Sequence, residues 1–104
     1  MATDRLQTLL KFVEQNPDDA FVRYGLAQEY VSQGQLQSAV EEFSRLIESN
    51  PSYQAAYYHG GQACLKMGRK QEAHDWFRRG IELAGRTGDN HARDELMAAL
   101  EESS

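Results

Sequence analysis

Residues 24–51 read YGLAQEYVSQGQLQSAVEEFSRLIESNP, and residues 58–85 read YHGGQACLKMGRKQEAHDWFRRGIELAG. Aligned thirty-four residues apart, they pair Tyr24 with Tyr58, Gln28 with Gln62, Gly34 with Gly68 and Gln37 with Gln71. Ala39 falls on Ala73, Phe43 on Phe77, and Arg45, Ile47 and Glu48 on Arg79, Ile81 and Glu82. Asn16-Pro17 repeats as Asn50-Pro51. A period of this length belongs to chains built from stacked helical units, each too small to bury its own apolar face.

Working outward, proline and glycine set the element boundaries. The residue before proline avoids the helical region, so the two Asn-Pro pairs mark helix ends. Gly34 and Gly68 stand where a tight turn needs positive φ. Between these marks lie strong helix formers with helical apolar spacing and no sustained strand alternation. The expectation is an all-α chain of six helices, near 3–15, 19–33, 37–49, 53–67, 71–84 and 89–102. The first helix sets Leu6, Leu9, Leu10 and Val13 on one face and Asp4, Gln7, Lys11 and Glu14 opposite. The last aligns Ala92, Leu96 and Leu100 beneath a charged surface. Both read as caps, because a terminal unit has only one neighbour.

With those residues in place, the chain resembles the tetratricopeptide repeat, whose signature is W-x2-L-G-x2-Y…A-x3-F…P. Leu26-Ala27, Tyr30, Ala39, Phe43 and Pro51 take those places in the first full unit. Gly60-Gly61, Cys64, Ala73 and Phe77 take them in the second, and Pro17 closes an incomplete unit before both. Arg23 and Tyr57 hold the tryptophan place, Cys64 a tyrosine place, and Gly85 the place of a third proline. The resemblance implies a right-handed solenoid of about six antiparallel helices in a single domain over 1–104. Its parts would be a half-repeat helix (3–15), units at 20–53 and 54–87, and a capping helix at 89–102. Gly60 and Gly61 each cost a helix about 1 kcal/mol relative to alanine, so close helix contact is their expected reason, with a hinge as the alternative.

Composition narrows the class of function. The net charge is −5, with a hydrophobic fraction of 40% and a charged fraction of 26%. Residues 66–86 carry six basic side chains against three acidic, but residues 1–50 carry four against eight and residues 89–104 one against five. That balance argues against nucleic-acid binding, which rests on phosphate neutralisation. No apolar run approaches the roughly 20 residues of a membrane span, and MATDRLQTLL lacks a signal-peptide pattern. A lone cysteine, Cys64, fits a reducing compartment, so a cytoplasmic location is expected.

Reactive constellations are missing from the pattern. Asp18-Asp19, Glu41-Glu42, Asp94-Glu95 and Glu101-Glu102 are sequence neighbours, which diverge by about 100° on a helix instead of converging on one bond. His59, His74 and His91 form no i,i+4 metal pair, and no phosphate loop or nucleophile elbow is present. Cys64 replaces a core aromatic and reads as an inert buried thiol. No enzymatic activity, cofactor or metal is expected.

In the resembled family, the first helix of each unit lines a concave groove that receives peptides or partner helices. The resemblance places Phe21, Tyr24, Gln28 and Val31 there from the first unit. Ala55, Tyr58, His59, Gln62 and Lys66 follow from the second, and Arg93 from the last helix. Tyrosine brings apolar area with a hydroxyl, and glutamine can pair with an extended backbone. Lys66, His59 and Arg93 would suit an acidic group. The family's lysine–asparagine clamp for C-terminal carboxylates has no match, since Tyr24, Gln28 and His59 hold those places. Tyr24 and Tyr58 are alternatively packing residues between neighbouring first helices. Trp76 is expected to lie partly buried under the C-terminal helix. The expected role is a non-enzymatic interaction module for a protein or peptide partner, with homo-oligomeric assembly or a scaffold role through the groove or solenoid ends as the alternative.

Overall fold

The computed structural model describes residues 2–104, with side chains from Asp4 onward. Six helices follow one another: α1 (Ala2–Gln15), α2 (Ala20–Ser32), α3 (Leu36–Ser49), α4 (Gln54–Lys66), α5 (Lys70–Thr87) and α6 (Asn90–Glu102). No strand occurs among the described residues. Connections this short fold consecutive helices back on one another, which gives an all-α helical-repeat stack. Each helix packs on its chain neighbours, and α2, α4 and α6 also touch in sequence along one side.

Local chemistry sets most of the boundaries. Asp19 caps α2 by accepting the Val22 N–H at 3.1 Å, and Asp89 caps α6 through the Ala92 N–H at the same distance. Gly34 (φ 76°) and Gly68 (φ 77°) end α2 and α4 in left-handed turns. In these turns Gln35 N–H reaches Tyr30 O and Arg69 N–H reaches Cys64 O, each at 2.9 Å. One boundary differs from expectation. α5 continues to Thr87, because Gly85 stands where proline would have stopped it, and the left-handed Gly88 ends it instead. α4 therefore starts 34 residues after α2, but α6 starts 36 residues after α4.

The core forms where α2 to α6 meet, with Ala27, Ala39, Phe43, Leu46, Ala56, Cys64, Ala73 and Phe77 among its most buried members. The glycine pair in α4 owes its place to close packing. A Cβ on Gly60 would lie 2.5 Å from the Trp76 ring, and one on Gly61 would fall against the Phe77 ring. Trp76 is buried, at 8% exposure, against Gly60 and beside Tyr57 of α4.

The two tryptophan places of the signature do related work with different residues. Arg23 reaches back to the Pro17 carbonyl (3.2 Å), and the Tyr57 hydroxyl donates to the Pro51 carbonyl (2.6 Å). Each side chain thus satisfies an acceptor in the turn that precedes its own helix. Arg23 also pairs with Glu42 at 2.6 Å, and Arg45 closes on the same carboxylate. Tyr57 instead packs at a tilt beside Trp76, with centroids 6.4 Å apart. Glu42 and Trp76 are 34 residues apart, so an ion pair in one unit occupies the place of an aromatic pair in the next.

Candidate functional site

A row of rings runs between the first helices of the two units. The Tyr24 ring lies 5.3 Å from Tyr53 and 5.8 Å from His59, and His59 lies 5.2 Å edge-on to Tyr58. Behind the row, Tyr24 meets Phe43 at 6.1 Å and Tyr58 meets Phe77 at 6.4 Å. The phenylalanines that repeat for packing thus hold the tyrosines that repeat beside them. Gln28 donates to the Tyr24 hydroxyl at 3.2 Å, one helical turn along α2. Both tyrosines are half-buried, so each packs between helices and keeps part of its surface open.

Beside the row, α4 and α6 enclose a cleft of about 220 Å³ lined by Gln54, Ala55, Tyr58, Asp89, His91, Ala92, Glu95 and Leu96. Most of its wall is apolar, and its carboxylates come from α6. Glu95 acts across the groove, raising the proton affinity of both Tyr24 and His59. For Tyr24 the main cause of the raised pKa is burial, with the Tyr53 charge next and the Gln28 hydrogen bond opposing. Burial also dominates at His59 but lowers its pKa, with Glu95 opposing and Lys66 assisting. Burial thus favours the neutral ring of His59 over its cation.

The groove residues expected from the sequence are distributed unequally. Tyr24, Tyr58 and His59 come together in the aromatic row, with Gln28 bonded to it. Phe21 precedes Tyr24 by one turn of α2 and is 74% exposed. Gln62 and Lys66 continue the Tyr58 stripe at successive turns of α4, half-buried and exposed respectively. Arg93 does not line the cleft; it points to Asp94 at 3.8 Å. Counting by 34 from His59 gives Arg93, but the extra residues at the end of α5 move the equivalent place to Glu95. Glu95 is the residue that lines the cleft at this end. Asp89, His91, Ala92 and Glu95 were absent from the sequence-based set. The Gly88-Asp89 pair, a helix-ending glycine followed by a capping aspartate, is the signal that would have found them.

Among the described residues, no group of three His, Cys, Asp or Glu is placed to hold a metal ion, and no helix is long and apolar enough to cross a membrane. Cys64 is wholly buried, and burial pushes its thiol up to about 11, with Glu72 adding by charge and as a hydrogen-bond acceptor at 3.8 Å. Alkylation by iodoacetamide at pH 8 is expected to be at least ~100-fold slower in the folded protein than in urea, since thiolate is the reacting form. Equal rates would contradict this burial. The folded thiol keeps its proton from roughly pH 9 to 11, where the unfolded one loses it. This group's contribution to stability therefore falls as pH rises through that window.

A stack of paired helices whose first members share an aromatic concavity belongs to the class of helical-repeat folds. The tetratricopeptide repeat profile matches residues 24–88, and the chain belongs to that family. A TPR repeat-containing protein of Pseudomonas aeruginosa is 28% identical over 95 residues, covering 91% of this chain and 90% of that protein. A tetratricopeptide repeat domain protein from Salinibacter ruber, solved by NMR, is 34% identical with a TM-score of 0.80, covering 86% of this chain and 90% of that one. PcrH, solved in complex with the chaperone binding region of PopD, has the same fold at 18% identity. Its TM-score is 0.90, and the match covers 98% of this chain and 77% of that one.

Proposed function

We propose that the protein is a non-enzymatic interaction module that holds an extended segment of a partner protein along its concave face. The carrying observation is the Tyr53–Tyr24–His59–Tyr58 row, in which Tyr24 and Tyr58 recur thirty-four residues apart outside the signature residues. Phe21 and Gln28 extend the proposed surface along α2, and Gln62 and Lys66 extend it along α4. PcrH, of the same fold, is described in complex with a segment of another protein, which supports a peptide-like partner here.

The test is site-specific photo-crosslinking. A benzophenone residue at Gln62 is expected to capture partner protein, and one at the exposed Gln71 of α5 is expected to capture none. Capture from Gln71 alone would move binding to the other face and end this reading.

Self-association is the second reading, favoured by the exposed Met97 (50%), which shares a surface depression with Ile81 and Leu100. Light scattering across a concentration series separates the two readings. A monomer throughout removes self-association, and a dimer dispersed by Met97→Glu supports it.

A further inference from the structure

Resting on the groove reading above, we infer that the cleft between α4 and α6 seats a basic side chain, arginine or lysine, of the bound segment. The cleft has the shape and wall for a long amphipathic side chain: about 220 Å³, with Ala55, Tyr58, Ala92 and Leu96 as its apolar lining. An aliphatic stem can lie on such a wall while its charged head remains at a polar rim. The Tyr58 ring also offers a face over which a guanidinium or ammonium group is attracted.

The polarity of the rim selects the head. Its charged members are Asp89 and Glu95, with His91 and Gln54 beside them. Asp89 already accepts the Ala92 N–H through Oδ1. Glu95 makes no ion pair among the described residues, because the neighbouring Arg93 turns to Asp94. It is itself one of the residues that line the cleft. No cation from α2 or α4 lines the cleft: His59 stands outside its lining, where burial favours the neutral ring, and Lys66 lies two helical turns from Tyr58 on α4. An acidic side chain in this cleft would meet two carboxylates, whereas a basic one completes an ion pair that the folded chain leaves open.

The test uses the full chain and three immobilised decapeptide libraries, degenerate except for a central Arg, Glu or Leu. The Arg-centred library is expected to bind about fivefold better than the Glu-centred one at low ionic strength, the size of a partly exposed charge pair. Raising the salt should shrink that ratio. Glu95→Gln should bring the ratio close to one, and Glu95→Lys should invert it. Glu95 is exposed, and circular dichroism checks that both variants fold. Backbone NMR of the Arg-centred complex should show the largest shifts at Ala55, Tyr58 and Ala92. Two results would overturn the basic seat while leaving the groove reading intact. One is binding with no Arg preference; the other is a preference that survives Glu95→Gln. If none of the libraries shifts residues of α2 or α4, both inferences fall together.

Discussion

Phe77→Ala is expected to lower stability by about 4 kcal/mol, the usual cost of removing a large buried aromatic. Its ring is wholly buried, lies directly on the Gly61 backbone, and supports Tyr58 from behind. A chain of this length has roughly 5–15 kcal/mol of total stability, so the variant should be near its unfolding midpoint on modest warming. The companion Gly61→Ala change decides between two explanations of the glycine. Helix propensity alone would make it stabilising by about 1 kcal/mol. A methyl group placed against the Phe77 ring instead forces repacking, at a cost of about 1–3 kcal/mol. Net destabilisation is expected, and it should shrink when Phe77→Leu makes room. Urea unfolding with an unchanged slope measures each term. A more stable Gly61→Ala protein would show that the contact is looser than described.

The second large effect is expected at Glu42. Its carboxylate side chain is 10% exposed and receives Arg23, itself 15% exposed, as well as Arg45. Removing one partner of a nearly buried pair leaves the other charge uncompensated, so Glu42→Ala should cost about 3 kcal/mol. The structure also supplies an apolar replacement, because the same places in the next unit hold Tyr57 and Trp76. Trp76 needs the bare backbone of Gly60 beneath it, and the residue 34 earlier is the bulky Leu26. Arg23→Tyr with Glu42→Trp is therefore expected to fail, whereas adding Leu26→Gly should restore most of the loss. Thermal unfolding of the three variants checks the order, and equal stability of the double and triple variants would refute the steric argument.

How much of this could be read beforehand differs from place to place. Helix order, the packing reason for Gly60 and Gly61, and the burial of Phe43 and Phe77 follow from local rules and a shared period. Those were legible. The charge at the end of the groove was not, because it depends on where α6 begins. A period is a reliable ruler only while every turn has the same length, and Gly85 in the proline place ends that condition. Counting from the Asp89 cap recovers Glu95, whereas counting from the previous unit gives Arg93. The Arg23–Glu42 pair was hidden for another reason: its members are 19 residues apart and lie on different helices. Nothing in the period announces that partnership.

The interchange of ion pair and aromatic pair bears on how such an array can diverge. Arg23, Leu26 and Glu42 form one solution, and Tyr57, Gly60 and Trp76 form another at the same three places. Any single exchange between the sets strands a charge, drives an indole against a leucine or empties the buried place of Leu26. Neighbouring repeats are therefore separated by an epistatic valley that cannot be crossed one substitution at a time without loss. A duplicated unit drifting from one solution to the other must move three residues nearly together, and copies made early in an array's history can keep their original chemistry long after their surfaces have changed.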